Sequence, residues 1–380
     1  MVKLFGIVSL CVCLQTLNLV DSAPFQDIAK NVKSTMILVD NPNAISVRET
    51  SPLVSKNNRK LQIPQATGEA LDLFYRYGFF SLSVRVVPRD DPGGWLVREP
   101  TNSVFTPESL ITTQDPGSGN FEPFYQVYLC DDTNELMEAY FRDFKADGVA
   151  QPYKLYTGSW RKRVMAKYMG LSTESLDGES SFILVKLTKL NRIVKTAGDP
   201  HLKGAALNSI SNIVPGKKDS VLSFINDFGS HYIKEILIGD VIYQVFALSK
   251  DQFANAKTSL KPYQRIKSGE FNALYENILA PWNIRETGTI QAASGDFSLT
   301  KFLADNALYK SKFSSYPSIF EFKNDPTLMR ELEDISTKES EAVIGLHFAS
   351  LRSAIPSTST QDYFDEVVDT QMALWEINIS

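Results

Sequence analysis

Residues Phe224–Ser249, "FINDFGSHYIKEILIGDVIYQVFALS", decide the fold. Their first part completes a helical pattern. Asp219 or Ser220 can cap it, Val221, Leu222, Ile225 and Phe228 recur at helical spacing, and Gly229 can take the left-handed backbone that ends a helix. Ser230 and His231 lead into a run from Tyr232 to Leu248 rich in β-branched and aromatic residues. As one strand that run would span roughly 56 Å, against the usual length of about five or six residues. Gly239-Asp240 interrupts it. By local rules a Gly-Asp pair between apolar runs is a two-residue hairpin turn; one very long, bent strand is the alternative. His231 has no nucleophile or metal partner at a recognisable spacing. A position between a helix-ending glycine and a strand suits a ring bonded to nearby backbone, because a buried polar ring must find partners.

Outward from this segment, strands are predicted at Phe79–Pro88, Pro123–Cys130 and Ser180–Val194, from alternation or β-branched enrichment. Helices are predicted at residues 133–146, where Thr133 can cap and Leu136, Met137, Tyr140, Phe141 and Phe144 share a face, and at 218–229, 250–257, 269–279 and 325–352. Long strands separated by long, part-helical insertions predict an α+β domain around an antiparallel sheet.

The N-terminus places Lys3 before an apolar run from Leu4 to Leu14 and small residues at Ser22 and Ala23, the layout of a secretory signal over residues 1–22. Residues 23–64, rich in Asn, Ser, Lys and Pro, read as an extended arm, and residues 65–380 as a single domain. The expected product is soluble and extracellular. Of three cysteines, Cys11 and Cys13 leave with the signal. Cys130 is then either a thiol for a partner chain or a small buried hydrophobe on a strand. The net charge of −5 gives no basic face for nucleic acid. Asn378, in "NIS", is the single glycosylation sequon.

Catalytic patterns are missing from the sequence. It has no G-x-S-x-G turn, no H-E-x-x-H helix and no C-x-x-C pair, and "PGKKDS" lacks the first glycine of a phosphate loop. The three histidines, His201, His231 and His347, share no ligand spacing. The expectation is a protein that is not an enzyme, with no metal and no cofactor. The basic run Arg161, Lys162 and Arg163 can touch an anionic surface or serve as a solvated face.

Phe228, Gly229, Ser230, His231 and Tyr232 resemble the aromatic-Gly-Thr-His-aromatic signature of the membrane-attack-complex/perforin (MACPF) family, with Ser keeping the hydroxyl of Thr. A tyrosine often found seven positions before the first aromatic is Val221 here, and the family's double glycine stands as Gly239-Asp240. The resemblance implies a long, bent, four-stranded antiparallel sheet flanked by two helical clusters, at about Asp132–Glu179 and Lys250–Asp296. In pore-forming members such clusters open into membrane hairpins, whose strands need roughly 9 to 11 residues of alternating polarity. These segments show little alternation. For a bare, short, secreted chain the resemblance implies an extracellular developmental cue permitting activation of the Torso receptor tyrosine kinase in terminal patterning. Its implied partners are proteins of that pathway or of the eggshell, with peripheral membrane contact also open. A membrane-binding or pore-forming effector is the alternative.

Overall fold

In a computed structural model the described residues are 67–68, 70–71, 103–109, 111–122, 124–157, 161–198, 200–260, 264–267, 284–293, 299, 302–303, 319–320, 322, 325–336 and 342–379. The chain divides into two units, Met1–Arg59 and Lys60–Ser380, and all described residues belong to the second. The expected signal, arm, strand Phe79–Pro88 and helix 269–279 lie outside the described residues.

The strands in chain order are β1 (Ala70–Leu71), β2 (Ile111–Asp115), β3 (Phe124–Cys130), β4 (Phe144–Ala146), β5 (Ser180–Ala197), β6 (His231–Ser249), β7 (Gln264–Lys267), β8 (Glu286–Thr287), β9 (Gln291–Ala293) and β10 (Ala342–Ser350). The helices are α1 (Thr133–Tyr140), α2 (Lys154–Thr157), α3 (Lys162–Met169), α4 (Gly204–Ser211), α5 (Lys218–Phe228), α6 (Lys250–Ser259), α7 (Pro326–Ser336) and α8 (Thr358–Ile379). All ten strands join one sheet, ordered β4-β10-β6-β5-β3-β7, with β1, β8 and β9 also on β6 and β2 on β5. Its pairs are antiparallel except β10 with β4. The class is α+β, as expected, but the sheet exceeds the four strands anticipated. At its centre β10-β6-β5-β3 form a meander, with α1–α3 inserted after β3 and α6–α7 after β6.

Gly239-Asp240 is not a hairpin. β6 runs through it for 19 residues, paired to β5 from Ser249 opposite Ser180 to Glu235 opposite Lys195. The turn signal loses because both neighbouring strands hold the segment extended. The unbroken apolar character beyond it also has a cause. Val241, Tyr243, Val245 and Ala247 enter one core cluster and Ile242, Phe246 and Leu248 a second on the opposite face, so this half of the strand is covered on both sides. Below the bend, Tyr232, Ile233, Ile236 and Ile238 all join the first cluster, and Lys234 is exposed.

Three other expectations need correction. The helix read over 325–352 is α7 followed by strand β10. Pairing with β6 on one side and β4 on the other overrides the helical spacing of "AVIGLHFAS". The helix read over 133–146 stops at Tyr140, and its cap is Asp132, whose carboxylate accepts from Glu135 N at 2.9 Å. In α5 the N-cap is Lys217 with no side-chain cap bond; Ser220 Oγ instead donates to Lys217 O at 2.6 Å.

Candidate functional site

The corner between α5 and β6 is built on a buried aromatic wedge. Phe224 stacks on Phe228 (5.4 Å between centroids) and meets Phe364 of α8 edge-on. α5 ends at Gly229, whose N–H donates to Ile225 O at 2.8 Å and whose φ of 88° with ψ of 175° lies in a region that is essentially glycine's alone. This is not the helical left-handed cap expected. It turns the chain straight into the extended backbone of β6.

Ser230 and His231 follow, both with no exposed surface. His231 Nε2 lies 2.8 Å from the carbonyl of Asp147, and Nδ1 lies 3.0 Å from Ser230 Oγ. A carbonyl only accepts, so Nε2 carries the proton and donates, and Nδ1 accepts from the Ser230 hydroxyl. Burial drives the His231 pKa down to about 4, with the bond to Asp147 opposing, so the ring is neutral at neutral pH. Asp147 is the other half of the joint. Its N–H donates to Phe348 O, and its carboxylate accepts from His347 Nε2 at 2.9 Å and from Ser350 N at 3.1 Å. The His347 bond holds that carboxyl below the usual carboxylate range. Through Asp147 the segment after β4 is thus fastened to β6 and to β10. Tyr232 completes the corner against Phe105, ring edge to face at 5.1 Å.

Nine residues along β6, Gly239 marks the bend. A Cβ there would fall 2.0 Å from the Lys189 carbonyl oxygen, so only glycine lets the two long strands approach. The pairing slips on both sides of it, between Leu190 and Arg192 in β5 and between Val343 and Gly345 in β10, and such bulges sharpen local twist. Asp240 sits opposite Lys189, both buried. Lys189 Nζ donates to Ser336 Oγ at 2.8 Å, and Ser336 Oγ donates to Glu333 O. Burial lowers the Lys189 pKa, while the charges of Asp240 and Glu333 oppose that shift. The end of α7 is therefore tied to the bend by a buried ammonium group.

Arg161, Lys162 and Arg163 are exposed at the start of α3, where Lys162 pairs with Asp177. They belong to neither the corner nor the bend. Asn378 lies in the last turn of α8. Cys130 is buried at the end of β3, its thiol raised well above the ordinary range by burial and by the carboxylates of Glu135, Asp131 and Asp132. Sequence reasoning missed Asp147, Lys186 and Lys189. Lys186 is fully enclosed, and its Nζ donates to Tyr140 O at 3.0 Å, closing the C-terminus of α1, with the Tyr128 and Tyr140 rings each 5.7 Å away. The available signal was two lysines inside the apolar run of β5. Among the described residues no group of His, Cys, Asp and Glu side chains is arranged to hold a metal ion.

No protein-family model and no curated protein matches the chain. Solved structures similar to it include GNIP1Aa from Chromobacterium piscinae, with a TM-score of 0.43 and 8% identity, covering 81% of this chain and 55% of that one. A cell invasion protein with a MAC/Perforin domain from Bacteroides thetaiotaomicron gives 0.37 and 10%, covering 82% and 62%. Astrotactin-2, a vertebrate-specific, perforin-like membrane protein involved in neuronal development, gives 0.29 and 12%, covering 80% and 90%. The chain spans less than two thirds of the length of the first two structures.

Proposed function

We propose that the chain is a MACPF-like, secreted, non-enzymatic signalling factor, most similar in kind to the insect protein Torso-like. In this reading it is an extracellular cue that permits activation of the Torso receptor tyrosine kinase in terminal patterning. The observation that carries the reading is the pentapeptide Phe228–Tyr232 standing at a helix-to-strand corner that opens a 19-residue bent strand between β5 and β10. That arrangement is a scaffold. Both nitrogens of its histidine are engaged in holding the chain.

Pore formation is the second reading, because helices are inserted after β3 and after β6, where pore-forming relatives keep their membrane hairpins. Two features favour the signalling role over it. Leu136, Met137 and Tyr140 of α1 and Met169 of α3 are buried in the first core cluster, so releasing these helices would expose core. Arg161, Lys162 and Arg163 are consecutive, and a cation at mid-bilayer costs roughly 2 to 4 kcal/mol.

The test is to mix the purified full chain with phosphatidylserine/phosphatidylcholine vesicles holding a self-quenched dye, and to crosslink the secreted protein on cells that express the receptor. Expected are retained dye, no ring-shaped oligomers and adducts with an extracellular protein of the receptor pathway. Rapid dye release with rings would replace this reading with the pore. Adducts confined to unrelated proteins would remove the receptor pathway from it.

A further inference from the structure

The insertion that follows β3 and the insertion that follows β6 are fastened to each other as well as to the sheet. The join lies between the exit of α3 and β8. The Glu286 carboxylate takes three hydrogen bonds there: Ser172 N–H donates to Oε1 at 2.7 Å, Ser172 Oγ donates to Oε2 at 2.7 Å, and Ser175 Oγ donates to the same Oε2. Just beyond, Thr289 N–H donates to Gly170 O at 2.8 Å. Gly170 leaves no room for a side chain, since a Cβ there would fall 2.6 Å from the Thr289 carbonyl oxygen.

Two observations make the carboxylate the holding point. β8 has two residues and β9 three, so the ladder to β6 holds them by few bonds. Ser175 is buried, Ser172 and Glu286 are half-buried, and bonds to a carboxylate are about twice as strong as neutral ones. Without that acceptor the buried Ser175 hydroxyl loses its bond, at the cost of its desolvation.

What the join covers is a strand edge. β10 pairs with β6 only as far as Gly239, and from Val241 to Ala247 that side of β6 is taken by β9 and β8, with β5 on the other side. An uncovered strand edge is a ready template for another strand.

We infer that Glu286 is a latch through which the two insertions open as one unit. While it holds, β8 and β9 cover the upper edge of β6. When it lets go, they and the exit of α3 come free together, and that edge can accept an added strand. The inference is independent of the signalling role.

The experiment follows amide exchange of the full chain by mass spectrometry at neutral pH. Glu286→Gln should quicken exchange at residues 162–176 and at 286–293 together, by roughly tenfold or more, with the β6 segment 241–247 following in part. β5 and the corner at Phe228–Tyr232 should keep their wild-type rates. Ser175→Ala removes one donor and keeps the charge, so it should give the same joint pattern to a smaller degree, and adding it to Glu286→Gln should change little further. Glu179→Gln removes only the exposed ion pair with Arg285 and should leave both segments within about twofold of the wild type. Quickening confined to one of the two segments, uniform quickening that includes the corner, or no change in Glu286→Gln and Ser175→Ala would each overturn the latch.

Discussion

Lys189 and Asp240 face each other across the two longest strands, one register step from the place where Gly239 lies too close to β5 for any side chain. The bend is thus a tight backbone contact with a buried polar pair beside it, closed by Ser336 of α7.

Gly239→Ala places a methyl group where the Lys189 carbonyl already is. β5 and β6 must separate, and overpacking of this kind costs about 3 kcal/mol. Urea unfolding of the purified variant should show that loss. Gly204→Ala, in α4 with nothing within 4 Å of the added carbon, should be neutral or slightly stabilising.

Ser336→Ala removes the acceptor of a buried ammonium group and should destabilise by roughly 1 to 3 kcal/mol. The loss should be concentrated in α7. Amide exchange there should quicken while exchange in β5 stays slow, and uniform quickening would contradict a local tie.

Acid should weaken the corner. His231 is buried and neutral, with a folded pKa of about 4 against about 6.5 when unfolded. The unfolded chain therefore takes up a proton that the native state refuses. Stability is complete above pH 6.5 and falls toward pH 4, by up to about 3 kcal/mol from this group. Asp147, whose folded pKa is lowered, loses its contribution in the same direction as pH falls. Denaturant midpoints measured from pH 7 to pH 4 should drop, and His231→Gln should be less stable at pH 7 but flatter across that window.

Cys130 should stay silent. A thiol 1% exposed and held protonated by burial should not react with a disulfide reagent until the chain is unfolded. Modification of the native protein at the rate of a small free thiol would refute this.

How far the fold was legible depended on whether its cause was local. The corner could be read because Phe228, Gly229 and His231 are neighbours in sequence, and β3 and β5 because alternation and β-branching mark them directly. β10 could not, because Val343 and Leu346, and Ile344 and Phe348, stand at helical spacings three and four residues apart. The choice is made by pairing with Ile236 and Ile233 of β6, more than a hundred residues earlier. The partner of His231 was hidden for the same reason, since Asp147 lies 84 positions away. α8 went unread, although Phe364, Val367, Val368 and Met372 bury one face of it.

The unequal coverage of β6 divides the strand into two regimes of inheritance. Above Asp240 the apolar residues from Val241 to Leu248 answer to a core on one face or the other, and substitutions there must arrive in compensating sets. Below it Lys234 is exposed and Glu235 and Leu237 are half-buried, and a position such as Lys234 can be redecorated singly without disturbing the packing. New surface chemistry has room to diversify at such exposed positions below the bend, while the half above it keeps the architecture fixed.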